Sequence, residues 1–583
     1  MINSVEALKK IVWAKEGAAS GAWLNRFRKL RENQKSAQRF YDMEYEIKIA
    51  ESFKDVVIKL PTARQMIDTY LGHLPLSNPI VEVIPFKQTE TYRERAINQQ
   101  DYYQALLQHS LTQADPAIPY AAKDMGIRGE AFFKVLYDIG ALEGLPERKE
   151  RESDKDYKER KQAHLIERMP IRLIAPDPMN CYPSADHIDC RPVEMIEVYN
   201  IYAGYLRLIF PDWKSSKKDT DIVVVVEYWR DDKRCFLADG KPLTDGFEDN
   251  PYGITPYVHA YSGWGHRTVN NKPEDKAVNM IFEAMELIKQ QCRFQAYLDK
   301  AVAFAATPII HTSKPKTDYE GAGGLKVFPG MVLYEEERVD VSWAAANLPA
   351  GILQAIALND SRINRVQAGV LRGELPRGVE AGYPMALMIG EARLQFGIPL
   401  ENLKTLTARA LELVRHIVRK VVEEDLPLWG ADRAVILRPQ DCEGAYRIKV
   451  EFDATTPEGR ANRALAGQRL RQGGSISLWT ELKEWQGNKN PEKEINRILS
   501  ESLMKHPALQ RLVAVKAVKA IEGEAAALEI QTAMEEAEAG AIRHAASTGI
   551  PVGGELEREL PEDVLARALT KRARAVRAEP TEE

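Results

Sequence analysis

No stretch of about 18 consecutive apolar residues occurs in this 583-residue chain, which argues against a membrane-spanning helix. The longest apolar runs, such as Ile222–Val226, are only long enough for a strand. From Met1 to Trp13 the chain carries lysines but no apolar core or cleavage site of the kind a signal peptide needs, so it is expected to stay in a cytoplasm. Cysteine is scarce: Cys181, Cys190, Cys235, Cys292 and Cys442, an odd number with no CxxC pair. A disulfide framework is therefore not expected, in keeping with a reducing compartment. Cys181 and Cys190 flank His187 and Asp189, but their separation is not a zinc spacing, and free or buried thiols are expected. There is no excess of positive charge either. A formal net charge of −5 argues against a protein that grips nucleic acid tightly, because that affinity comes mainly from Lys and Arg neutralising phosphates. It leaves room for one that surrounds DNA and lets it slide.

The motifs of common catalytic classes are missing as well. No GxxxxGK[ST] phosphate loop is present. Gly321-Ala322-Gly323-Gly324-Leu325-Lys326 is glycine-rich but leads into a predicted strand, so no helix dipole would face a phosphate. There is no GxSxG, HExxH, EF-hand loop or GxGxxG after a strand. The ten histidines have no ligand spacing, and no pair of acidic residues sits where two could share a metal. The expectation is a protein that is not an enzyme, with no catalytic, cofactor or metal site.

What is present is an ordinary globular composition, 44% hydrophobic and 28% charged, long enough for roughly two to four structural units. The patterning predicts a mixed α+β fold, predominantly helical. Residues 1–50 read as helical. Met66, Ile67, Tyr70 and Leu71 give a helix over Thr62–Leu74, and Ile80–Pro85 is a strand. Glu90–Gln113 reads as a long amphipathic helix and Ala131–Tyr137 as a strand. The mixed charges of 144–162 suggest a solvated loop or exposed helix. Residues 170–260 are β-rich, clearest at Ile222–Arg230, with a turn at Asp231-Asp232-Lys233 into the next strand. A helix without internal Gly or Pro is predicted over 273–305. A short β-rich insertion fills 306–349, a second helix spans about 350–372, and Gly373–Pro384 breaks the pattern. A long helical stretch then runs from Met385 to about Asp425, bent near Gly397 and Pro399. Tyr446–Phe452 alternates as a strand, and helices follow at 457–472, 477–485, 491–503 and 507–545.

This order of elements, with several local phrases, resembles the portal proteins of tailed bacteriophages. The phrases are Thr69–Pro85 (TYLGHLPLSNPIVEVIP), Met125–Asp138 (MGIRGEAFFKVLYD) and Ala175-Pro176-Asp177-Pro178 running to Tyr182-Pro183. They continue with Val226-Glu227-Tyr228-Trp229, Asn250-Pro251-Tyr252-Gly253 and Thr255-Pro256-Tyr257. The likeness covers about 60–455. It implies a wing from 61–272 and 385–455, stem helices at 273–305 and 350–372, a clip at 306–349 and a tunnel loop at 373–384. Outside it would lie an N-terminal helical segment (1–60), a helical crown (456–545) and a charged tail (546–583) expected to be mobile.

By analogy the chain would form a homo-oligomeric ring, usually of about twelve subunits. Assembled in the host cytoplasm, the ring would sit at the portal vertex of the virion, with double-stranded DNA passing through its channel. Its partners would be the terminase motor, then head–tail connectors or adaptors, with capsid and scaffold proteins around it and no membrane. Glu374, Arg377 and Glu380 of the tunnel loop are the expected channel residues, their mixed charge favouring a loose contact. In the clip, Phe328, Met331, Leu333, Tyr334 and Trp343 are expected at contacts between subunits, and Glu335, Glu336 and Glu337 as an acidic docking rim. Two other readings stay open: a packaging enzyme such as a terminase subunit, which the missing phosphate loop disfavours, and a soluble helical scaffold or adaptor.

Overall fold

The computed structural model describes residues 2–14, 22–51, 54, 57–76, 79–149, 151–184, 187–188, 190–306, 309–312, 341–344, 350–367, 371, 391–430, 433–452, 457–486 and 491–504. Helix makes up about 52% and strand about 20%, so the class is mixed α/β with helix in the majority. The chain divides into two units, Met1–Ala454 and Thr455–Glu583.

Three of the sheets in the first unit frame its core. The central one has three antiparallel strands in the order Tyr257–Tyr261, Glu130–Tyr137, Ile171–Ile174. A second has five, in the order Lys241–Asp249, Lys233–Ala238, Ile222–Arg230, Glu194–Tyr202, Cys181–Pro183. The third is a two-stranded ribbon of Pro79–Pro85 and Tyr446–Phe452, which joins segments more than 360 positions apart. Tyr446–Phe452 alternates buried and exposed along its whole length, as a half-covered strand must. The edge of Pro79–Pro85 turned away from its partner is covered by the helix Glu90–Thr112. The Val81 and Val83 N–H groups donate to Gln104 Oε1 (3.1 Å) and Gln100 Oε1 (3.4 Å), and Gln104 Nε2 donates to the Pro79 carbonyl.

Across the core lies the helix Gly397–Val421. Leu403, Leu406, Ala410, Leu411, Val414, Ile417 and Val418 form its buried stripe, at the three- and four-residue spacing of one helix face. It packs on the strands Glu130–Tyr137, Tyr257–Tyr261 and Tyr446–Phe452. The predicted bend falls just before it, as the 3₁₀ turn Leu394–Phe396, and the helix ends at Val421 rather than Asp425, followed by the hairpin of Leu426–Trp429 and Ala434–Leu437. The mixed-charge stretch runs into the largely exposed helix Asp154–Arg168, whose first turn is capped by Ser153.

One predicted element is corrected. The helix expected over 273–305 is two pieces, a single turn at Pro273–Lys276 and a long helix at Met285–Ala306. Tertiary contacts take the backbone groups a continuous helix would use. The Met280 N–H donates to the Gly126 carbonyl (2.9 Å), and the Ser262 hydroxyl donates to the Val278 carbonyl (2.7 Å). Gly129 makes this approach possible. It has φ +79°, and a Cβ on it would come within 2.5 Å of the Ala277 carbonyl carbon. The second long helix is also shorter than expected, Ala350–Val366.

In the second unit the described residues form the helix Pro457–Gln472, a turn from Leu478 continuing as a π-helical turn at Glu481–Trp485, and the helix Pro491–Met504. Gly467 lies against Trp485 so closely that a Cβ would come 2.4 Å from the Trp485 Cβ, and Arg471 pairs with the buried Glu481 at 2.7 Å. The helix predicted over 507–545 and the charged tail lie outside the described residues.

Candidate functional site

Two helices of the first unit, Met285–Ala306 and Ala350–Val366, run side by side as an antiparallel hairpin. The strands Ile309–Thr312 and Val341–Ala344 extend it as an antiparallel ribbon in which Trp343 lies opposite Ile310. Inside the hairpin the contacts are partly polar. The buried Asn359 donates to the Leu287 carbonyl at 2.9 Å, and Gln291 donates to Asp360. Outside it three large apolar side chains are exposed among polar ones: Val302, Leu353 and Leu358 are 46%, 52% and 54% exposed. Where the hairpin meets the helix Thr62–His73 there is a cavity of about 900 Å³ with a mostly uncharged polar wall, including Gln65, Thr69, Gln291 and Asn364, and two acids, Asp68 and Asp360. Among the described residues no cation shares this wall, and Asp68 already accepts the Tyr41 hydroxyl at 3.1 Å.

The expected site residues fall mostly elsewhere. Glu374, Arg377, Glu380, Phe328, Met331, Leu333, Tyr334, Glu335, Glu336 and Glu337 lie outside the described residues. Only Trp343 is placed, in the ribbon.

The strongest electrostatic feature is internal and was not anticipated from sequence. The strand Glu130–Tyr137 carries Glu130 and Lys134 on one face, four residues apart. Lys134 reaches Glu197 (2.9 Å) and Glu227 (2.8 Å), which lie directly opposite each other in the five-stranded sheet. Two carboxylates so placed repel, and the buried ammonium between them resolves the conflict. Other donors join the ammonium: Tyr257 donates to the Glu197 oxygen that Lys134 holds (2.6 Å), Trp229 to the Glu227 oxygen that Lys134 holds (2.9 Å), and Tyr199 to the other Glu227 oxygen (2.8 Å). Burial works to neutralise both ions. It is outweighed, so Lys134 is held above its ordinary range by Glu197 and Glu227, and Glu227 below its own by Lys134.

At the other end of the strand, Glu130 accepts from Arg31 (2.8 Å) and Gln34 (3.0 Å) and contacts His259 Nε2 (3.0 Å). Burial pushes its carboxyl up, but the His259 hydrogen bond and the Arg31 charge prevail and hold it at about 2. Arg31 also donates to the Cys181 carbonyl and lies over the Phe27 and Tyr182 rings. The two clusters fasten the central sheet to the five-stranded sheet and to the helix Arg28–Tyr41. Such pairs favour one arrangement of layers over others more than they add stability. A sequence signal existed: a charge inside an apolar strand, as at Lys134 after Phe132-Phe133 and Glu227 after four valines.

Among the described residues no group of three or more His, Cys, Asp or Glu side chains is placed to hold a metal. Cys181 is buried, and burial pushes its thiol well above the usual range, which keeps it protonated. No helix of the described residues is long and apolar enough to cross a membrane. In comparisons with known proteins, no family model and no curated protein matches this chain.

Proposed function

We propose that this chain is the ring subunit of the portal vertex of a tailed bacteriophage. In this role it forms the channel through which the genome is packaged and ejected, and docks first the terminase motor and then the head–tail connectors. The observation that supports the reading best is the way one body is interrupted. The chain builds most of the body before residue 285, leaves it for the helical hairpin and its ribbon, and returns with the helix Gly397–Val421 to complete the same core. Wing, stem, clip, stem and wing follow one another in this order in portals. A hairpin with exposed Val302, Leu353 and Leu358 needs neighbours to cover it, and a head-to-tail contact between unlike surfaces closes into a ring.

In this reading the ribbon and residues 328–337 form the docking clip, and Glu374, Arg377 and Glu380 face the DNA. The role is mechanical, and the ATP that drives packaging is hydrolysed by the motor. Light scattering with negative-stain imaging of the purified chain tests it. The expected species is a closed ring of about ten to thirteen subunits. A chain that stays monomeric at high concentration under all conditions refutes the proposal.

A further inference from the structure

A second cavity, of about 290 Å³, lies between the N-terminal helical segment and the loop that leads into Pro273. Its wall includes Arg26, Phe27, Tyr261, Arg267, Asn271 and Lys276. Three of these are cations, and among the described residues no aspartate or glutamate shares the wall. Among the described residues no carboxylate pairs with Arg26, Arg267 or Lys276. Asp275, adjacent in sequence, is engaged elsewhere and accepts the Thr268 hydroxyl at 2.6 Å.

Two of the cations are held in place. Arg26 donates to the Asn271 carbonyl at 3.3 Å, and the Lys276 ammonium sits 5.7 Å from the centre of the Tyr261 ring. Gly265 lies flush against the next segment: a Cβ there would come 2.2 Å from the Lys276 carbonyl oxygen. The His266 N–H donates to the Asp275 carbonyl at 2.9 Å, which sets Arg267 beside Lys276. Burial first, then the charges of Arg267 and Arg26, pull the Lys276 ammonium below its usual range. This is the signature of like charges gathered without a counter-ion.

Three positive groups around one partly open pocket call for an anion. A carboxylate supplies one negative charge, whereas a phosphate monoester supplies about −1.5 to −2 and three strong acceptor oxygens. Guanidinium forks match phosphate geometry. The aromatic walls of Phe27 and Tyr261 offer a surface for the group that carries it. We infer that this cavity is a phosphate-binding site, taking inorganic phosphate or a small phosphomonoester. The inference stands apart from the ring proposal.

Isothermal titration of the full-length chain tests it, with inorganic phosphate in one arm and a nucleoside 5′-monophosphate in the other, against chloride at matched ionic strength. Saturable binding is expected. It should weaken about tenfold or more in Arg267→Gln and in Lys276→Gln, the worth of one charge-assisted hydrogen bond. Arg267 is exposed, so its substitution leaves the fold intact, and Lys276→Arg should retain most of the affinity. Tighter binding of the monophosphate identifies an ester as ligand; tighter binding of inorganic phosphate identifies the free ion. No saturable heat with either, or affinity unchanged in Arg267→Gln, overturns the proposal. So does a chain that ignores both ligands but loses assembly in Arg267→Glu, which would assign the cluster to an acidic contact between copies. Ring formation, read in parallel by light scattering, bears only on the portal reading.

Discussion

In the body, Lys134 is 6% exposed and lies between two carboxylates, whereas in the hairpin Leu358 is 54% exposed and Leu353 nearly the same. One region places ions in its interior and the other places leucines on its surface. Each is costly for an isolated chain, but the remedies differ. The body's ions are satisfied within the subunit by tyrosines, a tryptophan and opposite charges. The hairpin's leucines have no cover from the described residues of the same chain. The contrast teaches that the body's ions are complete within the subunit, whereas on the proposed reading the hairpin's leucines are covered only by a neighbour.

The most severe way to break this contrast is Lys134→Met. It strands Glu197 and Glu227 face to face in the interior and should cost about 3–5 kcal/mol of stability, read by guanidinium denaturation. A loss under about 1 kcal/mol would mean the cluster does not organise the body.

Acid should act almost as strongly. Glu130 titrates at about 2 against an ordinary 4.5, so its folded-state pKa is lowered. The stability it contributes is present above pH 4.5 and is lost as the pH falls toward 2, amounting to about 3 kcal/mol. Denaturation curves across that window should slope in the native chain and flatten in Glu130→Gln, which starts lower. Lys134 has the opposite sign: its pKa is raised, so its contribution is lost only as the pH rises above its ordinary 10.5.

Gly129→Ala is a smaller perturbation at the boundary of the two regions. At φ +79° and 2.5 Å from the Ala277 carbonyl carbon, a methyl group should cost about 1–3 kcal/mol and loosen residues 277–280. Thermal melting should show it, and an unchanged melting temperature would mean that the contact relaxes freely.

The smallest effect on the subunit, and the one that sharpens the contrast most, is expected from Leu353→Glu with Leu358→Glu. Subunit stability should change within about 0.5 kcal/mol, while the large species disappears from light scattering. A destabilisation comparable to that of Lys134→Met would show that these leucines belong to the subunit's own core.

Much of the local structure was legible in the residues. The alternation of Tyr446–Phe452 and the spacing of Met66, Ile67 and Tyr70 depend on burial of one face, which periodicity reports directly. The break at 277–284 was not legible, because it arises from contacts with Gly126, Gly129 and Ser262, far away in sequence. The strand Glu194–Tyr202 pairs with Ile222–Arg230 along its full length but alternates weakly, since polar Glu197 is buried and Tyr202 is exposed. The buried clusters were hidden for a related reason: a charge in a strand reveals its partner only once the sheets are stacked. Of the expected site residues only Trp343 is placed, so the channel and docking assignments rest on sequence alone.

The two glutamines on the helix Glu90–Thr112 have a further consequence for the edge of Pro79–Pro85. Four residues of helix advance about 6 Å, and two residues of strand advance about 6.8 Å. The two lattices are nearly commensurate, so Gln100 and Gln104 can meet Val83 and Val81 in sequence. A carboxamide has the same donor and acceptor as a peptide unit. The helix thus presents a counterfeit strand two rungs long, and the ribbon is terminated there. Where many copies crowd together, an unterminated ribbon would template its own growth from molecule to molecule.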